Sequence, residues 1–319
     1  MSNRPWGVPS PSPLTESKLF NAARRTVTLL VEAGVDQRFW RMHCVGDCHV
    51  REHGQGGREA VLKELNRARG QAGAVLLAVL DADLDRVEGR LLLDSDVVWT
   101  DAHDLETTLL TLPTLEKLVT QCVDSSKLAE QEREWGEPLR ARLFRHAEGI
   151  GRLRWLKQRE HLDDLVFKKM KGTRELLYFA NYKRCADKFW SPSLAKVIEA
   201  LLEYSSAHHF RTRDLAGECA ALPAVAPAQL CNGHDLVGFL GEWLRDVSGR
   251  HHNDAALTES LAGYCEQIWL METEMWRAIQ AWEVLHPGFR VLKSENEHAM
   301  SGRPVSDRLD RVSIGDSSI

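Results

Sequence analysis

Three carboxylates stand where a parallel sheet would present them to a ligand. Glu32 closes the apolar run TVTLLVE (26–32), and Asp81 stops the run AVLLAVL (74–80), with Asp83 and Asp85 at alternate positions beyond it. In an extended stretch, residues two apart share a side, so Asp81 and Asp83 can face one point, with Asp85 joining them if the extension persists. Ligands of open α/β sheets bind beyond the carboxyl ends of the strands. If the two runs are parallel neighbours, Glu32 and Asp81 project at one rim. Clustered carboxylates repel unless they are protonated, paired with Lys or Arg, or joined by a metal. Oxygen-only donors favour Mg2+, Mn2+ or Ca2+ over zinc. Mg2+ held by a few carboxylates takes phosphate oxygens as further ligands, which is the chemistry of phosphodiester cleavage or phosphoryl transfer. An Asp-x-Asp alone is more often a polar loop or a helix cap; the Glu at the end of an earlier strand shifts the balance toward the cation.

The elements around these residues alternate. After the first strand, GVDQRFWRM reads as a short helix, MHCVG (42–46) as a second strand, and GGREAVLKELNRARG (56–70) as an amphipathic helix. On that helix Val61, Leu62 and Leu65 share a face, and Arg58, Glu59, Lys63, Glu64 and Arg67 read as solvated. Strand–helix alternation implies parallel pairing with right-handed crossovers. Residues 81–106 then carry nine Asp or Glu against two Arg, a density that itself favours a cation. In LLLDSDVVWTDAHDLETTLL (91–110), DVVWT resembles a strand and DLETTLL starts a helix. Asp101 or Asp104 suits its N-cap and Glu106 its first turn, a reading that needs no function.

From about residue 104 the pattern is mostly helical, over 104–122, 126–148, 150–170, 173–183, 193–206, 234–247 and 255–285. Tyr264, Ile268, Met271, Met275, Ala278, Trp282 and Leu285 alternate spacings of four and three, a heptad seam. It reads as a long helix packed in its own domain, with a homodimer as the other possibility. The expected class is therefore α/β, a Rossmann-like parallel sheet followed by a mostly helical region. The expected divisions are a leader (1–19), an α/β domain (20–125), a mainly helical domain (126–292) and a polar tail (293–319).

The bulk composition excludes some classes. Hydrophobic residues make up 43% and charged residues 27%, as in ordinary globular proteins, and no apolar run is long enough to span a bilayer. The opening MSNRPWGVPSPSPLTES lacks the apolar core of a secretory signal, so a cytoplasmic location is expected. Seven scattered cysteines suggest no disulfide framework. A net charge of −5 argues against a stand-alone nonspecific DNA binder, so any contact with nucleic acid needs a local patch, a metal or a partner.

The Glu after the first strand, in LLVEAGVDQRFW, and the Asp-x-Asp after the third, in AVLDADLD, resemble the signature of TOPRIM domains. These occur in topoisomerases, bacterial primases, small RNA-maturing nucleases and OLD-type nucleases. The resemblance covers roughly the first 110 residues. WTDAHDLETTLL and CNGHDLVGFL (231–240) further resemble a bacterial TOPRIM-like group that includes the nuclease subunit of PARIS-type anti-phage systems, which accompanies an ABC-type ATPase. The family has Gly directly after the Glu; here Ala33 stands there and Gly34 follows, while Asp36 keeps its spacing. The resemblance implies that Asp81 and Asp83 hold Mg2+ (or Mn2+) and that Glu32 is a metal ligand or the general base and acid. It implies that Asp36 caps the next helix or supports the site, and it makes Asp85 and Glu106 candidates for a second metal.

Other stretches carry chemistry too. Residues 168–188 hold seven Lys or Arg against two acids, interleaved with aromatics, so Lys168, Lys169, Lys171, Arg174, Lys183 and Arg184 are candidates for nucleic-acid contact. An amphipathic helix pair would produce the same pattern. Cys44, Cys48, His49 and His53 look superficially like a zinc set, but no second ligand pair sits at finger spacing. In GHD (233–235), His234 is a candidate site residue, while Asp235 reads as a cap. Together these features predict a metal-dependent nuclease acting on RNA or DNA, by resemblance an anti-phage effector with an ABC/OLD-type ATPase partner. The alternatives are a catalytically idle TOPRIM module in an assembly or sensor role, and a primase-like nucleotidyl transferase.

Overall fold

A computed structural model describes residues 26–53, 57–71, 73–163, 212–250 and 252–294, together with Ser12, Leu14, Thr15, Ser17, Lys18, Leu165, Ile198 and Phe210. The fold is α/β with a Rossmann-like sheet. Strands β1 (Val27–Val31), β2 (Cys48–Glu52), β3 (Leu76–Leu80) and β4 (Val97–Trp99) form one sheet in the order β2-β1-β3-β4, all parallel. Every residue of β1 and β3 is buried, as expected of central parallel strands covered on both faces. Leu29, Val31, Leu77 and Val79 join the core of Phe39 and Trp40, from helix α1 (Gly34–His43). The alternate residues Leu30, Leu76, Ala78 and Leu80 pack with Val61, Leu65 and Ala68 of α2 (Gly57–Ala68).

The larger core continues without a break into the helices that follow. These are α3 (Leu105–Thr111), α4 (Thr114–Cys122), α5 (Ser125–Trp135), α6 (Leu139–Arg159), α7 (Leu215–Ala221), α8 (Pro227–Leu230), α9 (Gly233–Ser248), α10 (Asp254–Tyr264), α11 (Gln267–Leu270) and α12 (Glu274–Leu285). Leu109, Leu118, Leu240, Leu261 and Trp276 all belong to the cluster that covers that face of the sheet. The end of the described chain returns to it: Cys44 and Leu292 form an antiparallel bridge, and Val45 N–H donates to the Val291 carbonyl at 2.8 Å. No helix among the described residues is long and apolar enough to cross a membrane.

Several expected elements are built differently. MHCVG is not a strand: α1 runs through His43, whose burial with Phe39 and Trp40 keeps the helical period, and pairing with β1 starts at Cys48. The helix expected over 104–122 breaks before Pro113, which cannot continue a helix by donating an N–H. The boundary expected near residue 149 is absent, and α6 passes through it. Gly151 is needed inside that helix because a Cβ there would lie 2.7 Å from the Leu230 carbonyl oxygen. The break falls earlier, at Gly136, which takes the left-handed conformation (φ 70°) that ends α5.

The heptad seam over 255–285 is divided among α10, α11 and α12. Thr273 caps α12 by accepting from Trp276 N–H, and Asp101 accepts from Met275 N–H at 2.9 Å. Met275 and Trp282 are buried, but Ile268 is 63% and Leu285 70% exposed, so no continuous seam exists to support a coiled-coil dimer. The helices expected over 173–183 and 193–206 lie outside the described residues, apart from Ile198.

Candidate metal centre

The chain leaves β1 for β2 on one side and crosses back to β3 on the other, so the β1/β3 join is the topological switch point where such sheets bind ligands. Glu32 follows β1 directly and Asp81 follows β3. The two meet: Asp81 N–H donates to Glu32 Oε1 at 3.0 Å. Asp81 Oδ1 in turn accepts from Leu105 N–H at 3.1 Å, at the start of α3, where the helix dipole favours a carboxylate.

The extension ends at Asp81. Asp83 to Asp85 form a 3-10 turn, with Asp83 at φ 45° and its N–H donating to the His103 carbonyl at 2.6 Å. Asp tolerates this left-handed conformation better than most residues. The expected alternation of Asp81, Asp83 and Asp85 along one side is therefore replaced by a turn. Asp83 faces Arg58 and His103, and Asp85 pairs with Arg58 and Arg90, on the outer side of the cluster.

Two helix starts bring further acids to this rim. Asp36, in the first turn of α1, accepts from Ala33 N–H at 3.0 Å, the capping role expected of it. Asp104 is the N-cap of α3 and accepts from Thr107 N–H at 2.8 Å and Gly233 N–H at 2.7 Å. Glu106, in the first turn of α3, is buried. Gly233 fits closely here, since a Cβ would fall 2.4 Å from Asp104 Oδ1.

Most of the carboxyls at this rim are held above their usual range, first by burial and then by one another. Burial pushes the Glu32 carboxyl up, opposed by the Asp81 N–H and Arg58. Burial, then Asp36, Asp104, Glu32 and Asp83, hold Asp81 well above the usual carboxylate range. Burial and Glu106 push Asp36 up to about 7. Asp83 is raised by burial against the pull of His103 and Arg58, and Glu106 by burial and Asp104. Asp104 alone among these is lowered: burial would raise it, but His103 and the N–H groups of Gly233 and Thr107 prevail. Oxygen-only donors that repel one another fit a hard divalent cation. Glu32, Asp81 and Asp83 are the residues that would hold it, with Glu106 and Asp36 behind them. As built, no three His, Cys, Asp or Glu side chains among the described residues form a ready coordination set.

A cation, Arg58, already stands among these carboxylates. Its guanidinium pairs with Asp83 and Asp85, donates to the Asp81 carbonyl at 2.8 Å, and stands 3.8 Å from Glu32. Arg58 does not lie on a solvated face as its helical period suggests, and neither does Glu64, which is buried and accepts from Leu14 N–H. The signal available in the sequence was position. A helix that starts just after β2 opens at the same rim as the ends of β1 and β3, and Gly57 brings its backbone beside Glu32. His103, Gly233 and Arg154 are also site-forming residues that pattern reading missed.

A cavity of about 880 Å3 opens beside the cluster, lined by Arg58, Asp83, Asp85 and His103 together with Arg154, Lys157 and Asp163. Asp235 is not a cap: Asn232 caps α9, and Asp235 forms a paired contact with Arg154, two bonds of 3.0 Å each. His234 is exposed. Lys168, Lys169, Lys171, Arg174, Lys183 and Arg184 lie outside the described residues. The chain matches no family profile, no curated protein and no solved structure.

Proposed function

We propose that this chain is a Mg2+- or Mn2+-dependent nuclease of the TOPRIM type that hydrolyses phosphodiester bonds in RNA or DNA. The observation that carries this reading is the Asp81 N–H to Glu32 contact at the β1/β3 switch point, where burial and neighbouring carboxylates raise the Asp81 carboxyl. A divalent ion held there would polarise the phosphoryl group and stabilise the charge that develops on it. Glu32, raised toward neutrality by burial, is the group suited to exchange a proton with the attacking water and the leaving oxygen. Asp104 fixes α3 against α9, and Asp36 fixes the start of α1, so both position the acids rather than react. The adjoining cavity gives the substrate strand room beside Asp83.

The wider role, an anti-phage effector controlled by an ABC/OLD-type ATPase, rests on the resemblance of WTDAHDLETTLL and CNGHDLVGFL alone. A second reading, a catalytically idle module in an assembly, is favoured by one observation: Arg58 already neutralises Asp83 and Asp85. Cleavage of labelled RNA and DNA in Mg2+, by the chain alone and with any ATPase that co-purifies with it, separates the two. The nuclease reading expects cutting by wild type and its loss in Glu32→Ala and Asp81→Ala. Wild-type cutting by both variants overturns the site, and no cutting by any form of the assembly favours the idle module.

A further inference from the structure

The position of Arg58 conflicts with a metal role for Asp83, and the resolution lies in what surrounds its guanidinium. Two carboxylates and the Asp81 carbonyl accept from its terminal nitrogens, but the buried Nε lacks a hydrogen-bond partner and Glu32 is only 3.8 Å away as a loose ion pair. The guanidinium also lies over the Trp99 ring, 5.3 Å from its centroid, and that ring is held by its own N–H bond to the Leu92 carbonyl. Arg58 is thus anchored at one edge and backed by an aromatic face at another. It also lines the cavity of about 880 Å3, with Arg154, Lys157 and Asp163 in the same lining and Arg154 paired to Asp235. A permanently charged side chain between an acidic cluster and a cavity lined by both acids and bases has two sets of partners of opposite chemistry: carboxylates on one side, and any phosphate entering the other.

We propose that Arg58 is an exchangeable counter-ion. Without a divalent cation it neutralises Asp83 and Asp85; when a cation held by Glu32 and Asp81 takes Asp83 from it, it turns into the cavity and binds a phosphate of the substrate strand. The exchange rests on the nuclease reading above and adds to it a phosphate-binding residue and a coupling between metal and substrate. A cation that must displace Arg58 binds more weakly than to bare carboxylates. The displaced guanidinium then adds to the cavity a positive charge that Asp83 and Asp85 neutralise in the ion-paired arrangement.

The test uses the full chain as wild type, Arg58→Gln and Arg58→Lys. Mn2+ titration calorimetry is expected to show Arg58→Gln binding about tenfold tighter than wild type, the equivalent of losing one charge-assisted competitor, with Arg58→Lys between them. Binding of a fluorescent single-stranded oligonucleotide in Ca2+ is expected to weaken about tenfold in Arg58→Gln, with a salt slope smaller by about one, and to be largely kept in Arg58→Lys. Arg58→Lys retains the charge and guards against a folding artefact. Equal Mn2+ affinity in wild type and Arg58→Gln, or unchanged oligonucleotide binding, overturns the exchange. Absence of Mn2+ binding in every form overturns both the exchange and the nuclease reading. The expected shifts without cleavage by any assembly sustain the exchange and overturn the nuclease reading alone.

Discussion

Asp81 and Glu32 share a hydrogen bond across the join of the two central strands: the Asp81 backbone N–H donates to the Glu32 carboxylate at 3.0 Å. The bond uses the backbone of one residue and the side chain of the other, so the Asp81 carboxylate stays available to α3 and to a ligand. Glu32→Gln and Asp81→Asn keep an oxygen for each bond while removing a charge from a cluster that repels itself. Both variants are expected to melt at or above the wild-type temperature while losing roughly a hundredfold or more in cleavage rate. Calorimetry and a cleavage assay on one preparation check both halves. A lowered melting temperature would mean that the charges stabilise the fold.

Gly233 is where α9 meets α3. A methyl group there would fall 2.4 Å from Asp104 Oδ1 and 2.5 Å from Glu106 Cβ. Gly233→Ala is expected to cost about 1–3 kcal/mol, the usual cost of overpacking, and to disturb the α3 start that Asp81 grips. Urea titration measures the cost; a loss within error would mean that the two helices separate freely.

Arg154 and Asp235 form a buried, two-pronged ion pair on facing helices, with the Asp235 side chain only 3% exposed. Arg154→Ala leaves that carboxylate without its main counter-charge and is expected to cost roughly 3 kcal/mol. Adding Asp235→Leu is expected to recover most of the loss, which a double-mutant cycle by chemical denaturation would show. Additive losses would contradict the pairing.

His146, on α6, is pushed down to about 4 by burial and then by Arg142 and Arg145. The unfolded chain takes up a proton near pH 6.5 that the folded chain refuses until about 4. The stability contributed by the neutral ring is therefore complete above pH 6.5 and is lost as pH falls through about 4. His146→Gln is expected to flatten the fall in urea midpoint between pH 7 and pH 4.5. Parallel wild-type and variant curves would contradict the assignment.

How legible each part was depends on the range of the interactions that build it. β1 and β3 were readable because strands covered on both faces are unbroken apolar runs, and their acidic ends stand out against them. Arg58 was hidden, since a charged residue in the first turn of an amphipathic helix reads as solvated. Its burial comes from the crossover that sets α2 at the rim of β1 and β3. The turn at Asp83 was hidden for a similar reason: an Asp-x-Asp spacing fits a strand and a tight turn alike, and the His103 carbonyl decides between them. The division of the 255–285 heptad pattern depends in part on Asp101, which holds the start of α12 from 174 positions away. Likewise Asp235 sits where a cap would, but its partner Arg154 is 81 positions distant.

The central claim, that Glu32, Asp81 and Asp83 share a divalent cation at the β1/β3 switch point, is tested most directly by anomalous scattering from Mn2+-soaked crystals of the full chain. The account predicts a peak about 2.0–2.3 Å from carboxylate oxygens of these three residues, with Arg58 turned away from Asp83. Crystals that take up Mn2+ elsewhere, or not at all, with Arg58 still bound to Asp83 and Asp85, would contradict it.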